Sequence, residues 1–434
     1  MERIDEMSEL RTYEIKQGIR LHHIDTDKFK TVSVGLHFHR HLSKEEASLN
    51  ALLTDVMRRG NSKLKDSAAV SRYLQSLYGA YFDADVRRKG EDQILSFVAS
   101  TVADQYLPQG EACVLKTVAF LFDMVLCPYV DEGGFLKEYV EQEKVNLIND
   151  IKAQINDKRS YAVWRLIESM CENEPYGVYE LGRVEDVEAI TAKRLYEQYL
   201  KVLHESPIDI FVTGKADIEE ILAMAKERFA DIVPKEFGYP ETTMFHPTGA
   251  VRNLTESYDV SQAKLSMGFY TGIGPKDPRY YALMVYNSIF GSGAHSKLFN
   301  HVREKLSLCY YASSRLERYK GLMVISSGIE YRNKDKAEAE IFAQVEAMRQ
   351  GDISDYEFDV SVKSIINSLR SLGDSNGYLA DYYLGQAVSG TNVSLEEQCR
   401  LISSVTKQEV IEVAKGIKPE MVYVMKGREQ EAEQ

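Results

Sequence analysis

Two neighbouring stretches, FGSGAHSKLF (290–299) and VREKLSLCY (302–310), decide how the rest of the chain is read. An apolar helical run over Tyr280 to Phe290 stops at Gly291-Ser-Gly293, where glycine removes the steric reason to stay helical. A second helix is expected over Ser296 to Lys305, and Tyr310 to Leu316 then alternates as a strand should. Outward from this block, Gln262 to Phe269 and Leu322 to Gly328 also read as strands. Lys334 to Arg349 and Asp355 to Leu372 read as long helices.

The same order of features occurs about 230 residues earlier, too far apart for a solenoid repeat and so a domain duplication. Thr31 to Phe38 is a strand, Ala47 to Met57 a helix stopped by Gly60-Asn61, and Ser67 to Leu77 a second helix. Strands over Tyr81 to Arg87 and Gln93 to Ser100 follow, then helical sequence over Gly110 to Leu126 and from about Asp131 to Ser169. Ser206 to Gly214 closes the half as a buried strand. Pro234, Pro240 and Pro247 mark the connection. The expected fold is α+β: two tandem homologous domains, each a mostly antiparallel sheet packed against helices, over 1–235 and 254–434, with a linker at 236–253.

The 434 residues carry a net charge of -13 with 44% apolar and 27% charged side chains, a soluble globular composition. The densest basic run, Arg87-Arg88-Lys89, is followed at once by Glu91 and Asp92, so neither nucleic acid nor an anionic membrane is an expected partner. The first eighteen residues are charged throughout, unlike a signal peptide, and no apolar run is long enough to span a bilayer. A cytoplasmic protein is expected. The five cysteines are scattered without a C-x-x-C pair, which supports neither a disulfide frame nor a thiolate zinc site. The glutamate-rich end, Glu429 to Gln434, reads as a solvated tail.

The glycine-rich segment followed by Ser296-Lys-Leu-Phe299 and Arg303-Glu-Lys-Leu-Ser-Leu-Cys-Tyr310, with the duplication around it, resembles the pitrilysin/insulinase/mitochondrial-processing-peptidase family. The likeness covers about Tyr13 to Val424. Catalytic members place H-x-x-E-H on the first helix of the first domain: two histidines bind zinc, the glutamate activates the metal's water, and a later glutamate is the third protein ligand. Setting the family's post-helix glycine on Gly60 puts that motif on Ala51-Leu52-Leu53-Thr54-Asp55, with Asp150 at the third ligand. Both histidines and the base are missing. Sliding the frame back by one residue, to Asn50, Leu53 and Thr54, does not restore them. The resemblance therefore implies no zinc in this chain; a weak oxygen-rich cation site on Asp55 and Asp150 would need more ligands.

Arg303 and Tyr310 match an arginine and a tyrosine that, in active relatives, reach from the second half into the zinc chamber of the first. There they donate hydrogen bonds to the carbonyl oxygen under attack. In two-chain members one chain carries the zinc motif and the other a degenerate site with this pair. The resemblance thus implies a non-catalytic subunit that forms a heterodimer with a zinc-bearing H-x-x-E-H relative and holds a peptide substrate, with a homodimer as an open alternative. The competing reading is a peptide-binding or scaffold protein in which the pair is vestigial, an ordinary ion pair and a packed tyrosine. The nearest branch by resemblance is a bacterial one associated with lysine modification of elongation factor P, a link that no residue here encodes.

LHFHRH (36–41) offers a second candidate, because His37, His39 and His41 alternate and so share one face of a strand. No carboxylate or cysteine accompanies them at ligand spacing. A polar strand face at an opening or subunit contact is therefore the reading preferred to a metal site. His22 and His23 face opposite ways. His301-Val-Arg-Glu304-Lys305 lacks only the last histidine of the zinc motif, but an ammonium there would repel the metal. Gly272-Ile-Gly274-Pro275 is a turn rather than a phosphate loop, and Tyr280, Tyr281, Tyr286, Tyr382 and Tyr383 read as packing.

Overall fold

The computed structural model describes residues 9–427; the first eight residues of the charged opening segment and the glutamate-rich tail lie outside them. The chain forms two compact units, one of residues 1–152, 178–241 and 372–388, the other of 153–177, 242–371 and 389–434. Among the described residues no helix is long and apolar enough to cross a membrane.

The first unit is built on strands β1 (Glu9–Lys16), β2 (Ile19–Asp25), β3 (Thr31–His41), β4 (Tyr81–Lys89) and β5 (Asp92–Val102). The small hairpin β6 (Val130–Asp131) with β7 (Gly134–Phe135) follows, then β8 (Ile208–Thr213). The six long strands order as β1-β2-β8-β3-β5-β4, antiparallel except where β2 meets β8. Its main helices are α1 (Ala47–Arg58), α2 (Ser67–Ser76), α3 (Cys113–Leu126) and α4 (Lys137–Ala153). Alternation along β3 sends Val32, Val34, Leu36 and Phe38 into the core with Leu49, Leu52, Leu53 and Val56 of α1. Burying side chains of this size gives about 1.5–3 kcal/mol each. Ser33, Gly35, His37, His39 and His41 are thereby committed to the opposite face.

In the second unit, β9 (Arg252–Tyr258), β10 (Ala263–Tyr270), β11 (Cys309–Glu317), β12 (Leu322–Ile329) and β13 (Lys418–Gly427) order as β9-β13-β10-β12-β11. This is the order β2-β8-β3-β5-β4 again, down to one parallel pair, β9 with β13. Duplication read from sequence is thus repeated in strand order.

The helix α5 (Lys158–Met170) lies in the first half of the sequence yet packs within the second unit. Ala162, Val163, Leu166, Ile167 and Met170 repeat at helical spacing and bury against Leu322, Val324, Met421 and Tyr423. Gly268 of β10 makes the fit possible: a Cβ there would stand 2.2 Å from the Met170 sulfur. Conversely the helix Asn376–Ser389, late in the sequence, belongs to the first unit, where Asn376 donates to the Thr31 carbonyl and Asp381 pairs with Lys89 at 2.8 Å.

Candidate functional site

The helix α1 carries the positions where zinc ligands would be expected, and they are committed elsewhere. Ala51 is 2% exposed and packs in the core; Thr54 donates its hydroxyl to the Ala51 carbonyl at 2.8 Å. One turn earlier, Asn50 donates to Gln93 (2.8 Å) and accepts from Gln198 (2.7 Å), while Glu46 takes a two-pronged contact from Arg40. This network fixes the start of the helix with protein partners rather than with a metal.

Asp55 is half-buried. Burial pushes its carboxyl up to about 7; Arg58, 3.8 Å away, opposes this, and Glu143, Asp150 and Asp83 add to it. On α4, Glu143 is buried but spent on Arg59 at 2.8 Å, whose guanidinium lies over the Tyr139 ring, and Asp150 is exposed. Among the described residues no group of three or more His, Cys, Asp or Glu side chains is placed to hold a metal ion. A catalytic zinc needs three protein donors and an open position, and one alanine, one internally bonded threonine and two aspartates do not fit it.

Arg303 and Tyr310 are in the second unit and line one open cleft of about 360 Å³, with Glu304, Ser307, Leu308, Cys309, Glu330 and Asn333. Arg303 sits on a π-helical segment, Leu298–Lys305, closed by a bond from the Leu306 amide to the His301 carbonyl. An α-helix is what the sequence pattern suggests there; the wider turn leaves Leu298 and Val302 buried and the Arg303 side chain exposed. Its guanidinium lies 4.7 Å from the Phe299 ring and 3.5 Å from Glu304.

Ser307 then turns the chain with φ +50, and β11 pairs Cys309 with Ile329 but Tyr311 with Gly328, leaving Tyr310 unmatched in a register shift. Such a shift re-aims a side chain. Tyr310 is 61% exposed, whereas its neighbour Tyr311 is partly covered beneath Arg159. In the H-x-x-E-K near miss, Glu304 is turned to Arg303.

The histidines of β3 do not share an opening. His37 is buried beside Ser96 and Phe211, where burial first and then Arg87 push it down to about 3. His41 is exposed. His39 is wholly buried, 2.6 Å from Asp92 Oδ2 and 3.2 Å from Asp209 Oδ2. Burial alone would lower it, but Asp92 and Asp209 outweigh burial and raise it to about 9. Asp209 also accepts from Arg20, His22 and Tyr239, and despite its burial the hydrogen bonds from His22 and His39 hold it well below the usual carboxylate range. The expectation of a polar face at an opening or subunit contact is corrected for His37 and His39, which are buried, His39 within a closed charge cluster. The signal for it was Asp209, the one charged residue in the buried strand Ile208–Thr213, and a buried charge requires a partner.

The fold and its motif helix, which lacks a zinc-binding set of side chains, are similar to those of known proteins. Residues 189–365 match the family model described as "Peptidase M16 inactive domain". The chain is 34% identical over 412 residues to "Probable inactive metalloprotease YmfF" of Bacillus subtilis, covering 95% of this chain and 96% of that protein. A crystal structure of a conserved protein from Enterococcus faecalis V583 superposes with a TM-score of 0.90 at 30% identity, over 96% of this chain and 99% of that one. The peptidase M16 inactive domain from Pseudomonas fluorescens gives a TM-score of 0.79 at 16% identity, over 96% and 98%, a likeness of fold. The chain belongs to the M16 peptidase family, the pitrilysin/insulinase group, as a degenerate, non-catalytic member.

Proposed function

We propose that this chain is the metal-free subunit of a split peptidase, pairing with a zinc-bearing H-x-x-E-H relative and contributing Arg303 and Tyr310 as a substrate clamp. The observation that carries this reading is the contrast between two places. The motif helix has turned its polar groups inward, while Arg303 and Tyr310 stand exposed in one cleft, on a π-helical turn and a register shift that a purely structural pair does not require. A guanidinium and a phenol together donate hydrogen bonds to a carbonyl oxygen as negative charge builds on it. Zinc and the water it activates belong to the partner.

The test is peptide hydrolysis by this chain, by an H-x-x-E-H relative from the same genome, and by the two mixed, with zinc counted in each. Activity is expected in the mixture alone. Arg303→Ala is expected to lower kcat/KM of the mixture about 100-fold, in the range of a lost oxyanion donor, and Tyr310→Phe about tenfold. Full activity with Arg303→Ala would leave a binding or scaffold role instead.

A further inference from the structure

The cleft that holds Arg303 and Tyr310 has a third side chain suited to a peptide. Asn333 stands immediately before the helix Lys334–Arg349, the place where an asparagine ordinarily caps a helix by accepting from its second or third amide. Here it makes no capping hydrogen bond. Its backbone explains why: a 3-10 turn over Tyr331–Asn333 runs straight into the helix, leaving Asn333 at φ -94, ψ 1 rather than in the extended conformation a cap adopts. That sparsely populated region is one where active-site residues recur. Asn333 lines the cleft with Arg303 and Tyr310.

The two carboxylates nearby are already engaged, Glu304 with Arg303 at 3.5 Å and Glu330 with Arg332 at 2.6 Å. A carboxamide offers one donor and one acceptor side by side, the complement of a peptide unit, which presents one of each.

Resting on the split-peptidase reading, we propose that Asn333 is a substrate-binding residue of the Arg303/Tyr310 cleft, pairing through its carboxamide with the main chain of an extended peptide. It contributes to holding the peptide rather than to stabilising developing charge, so its loss acts on KM.

The experiment uses the reconstituted pair and a fluorogenic peptide that the pair cleaves. Asn333→Ala is expected to raise KM about fivefold with kcat unchanged, the size of one neutral hydrogen bond. Asn333→Asp, which keeps the shape but removes the donor, is expected to raise KM at least as much while the thermal midpoint of the isolated chain stays within a degree or two. A carboxamide that merely fills surface space would leave KM at its wild-type value in both variants, and that result overturns the assignment. If Arg303→Ala lowers turnover while both Asn333 variants are unchanged, the clamp stands and Asn333 falls. If the mixture cleaves nothing, both fall together.

Discussion

At the residue scale, two ionisable groups, one buried and one half-buried, carry opposite lessons. His39 is held protonated by Asp92 and Asp209, with its pKa raised from 6.5 to about 9. The stabilisation it provides is therefore complete below about pH 6.5 and lost as pH rises through about 9. We expect the wild-type chain to lose on the order of 2–3 kcal/mol over that window by denaturant titration, and His39→Gln to be less stable at pH 6.5 but to lose little more by pH 9. A parallel decline in both proteins would place the alkaline sensitivity elsewhere. Asp55 is raised to about 7 mainly by burial, so its charge costs stability as pH climbs from about 4 through 7. Asp55→Asn should be stabilising by about 1–2 kcal/mol at pH 8 and near neutral at pH 4.5, measured the same way. Neither effect was legible from sequence. LHFHRH shows that three imidazoles alternate, but Asp92 and Asp209 reach His39 from two other strands, more than fifty residues away in each case.

At the scale of elements, hydrophobic period located many helices and strands but not β1, β2, β9 or β13, and the helical sequence expected from about Asp131 opens instead with the small hairpin β6–β7. The expected helices over Lys334 to Arg349 and Asp355 to Leu372 are present with those ends, and the strand expected over Leu322 to Gly328 runs one residue further. What period cannot report is a change of helical pitch or register. Leu298 and Val302 are spaced for either an α- or a π-helix, and a shift at Tyr310 leaves the alternation of β11 locally ambiguous. Those two irregularities place Arg303 and Tyr310, so the candidate residues were readable and their presentation was not. Gly291 illustrates the packing behind the block: a Cβ there would stand 2.4 Å from Ser314 Oγ and 2.7 Å from its backbone nitrogen. Gly291→Ala should cost about 1–3 kcal/mol, seen as a lowered denaturation midpoint, because the strand cannot retreat as a flexible side chain would.

At the scale of the whole molecule, the duplication in sequence corresponds to one strand order used twice, and the chain passes from the first unit to the second at 241/242, within the proline-marked connection, but 153–177 and 372–388 are exchanged between the units as well. A polar, proline-containing stretch signals a boundary of composition; which sheet a helix covers depends on contacts made far along the chain. Severing the chain at the connection should therefore fail on both sides. A fragment of residues 242–434 lacks α5 and exposes Leu322, Val324, Met421 and Tyr423; we expect it to be insoluble when expressed alone and rescued when 153–177 is restored. A soluble, cooperatively melting 242–434 would show that α5 is dispensable. The same late helix, Asn376–Ser389, also sets a clock for synthesis. The last segment of the first unit reaches the ribosome's exit some 130 residues after the connection, a delay of about 7–26 s at typical elongation rates. Through that interval α5 also waits for strands not yet made, so the nascent chain keeps apolar surface exposed, and slower elongation between the halves would lengthen the exposure.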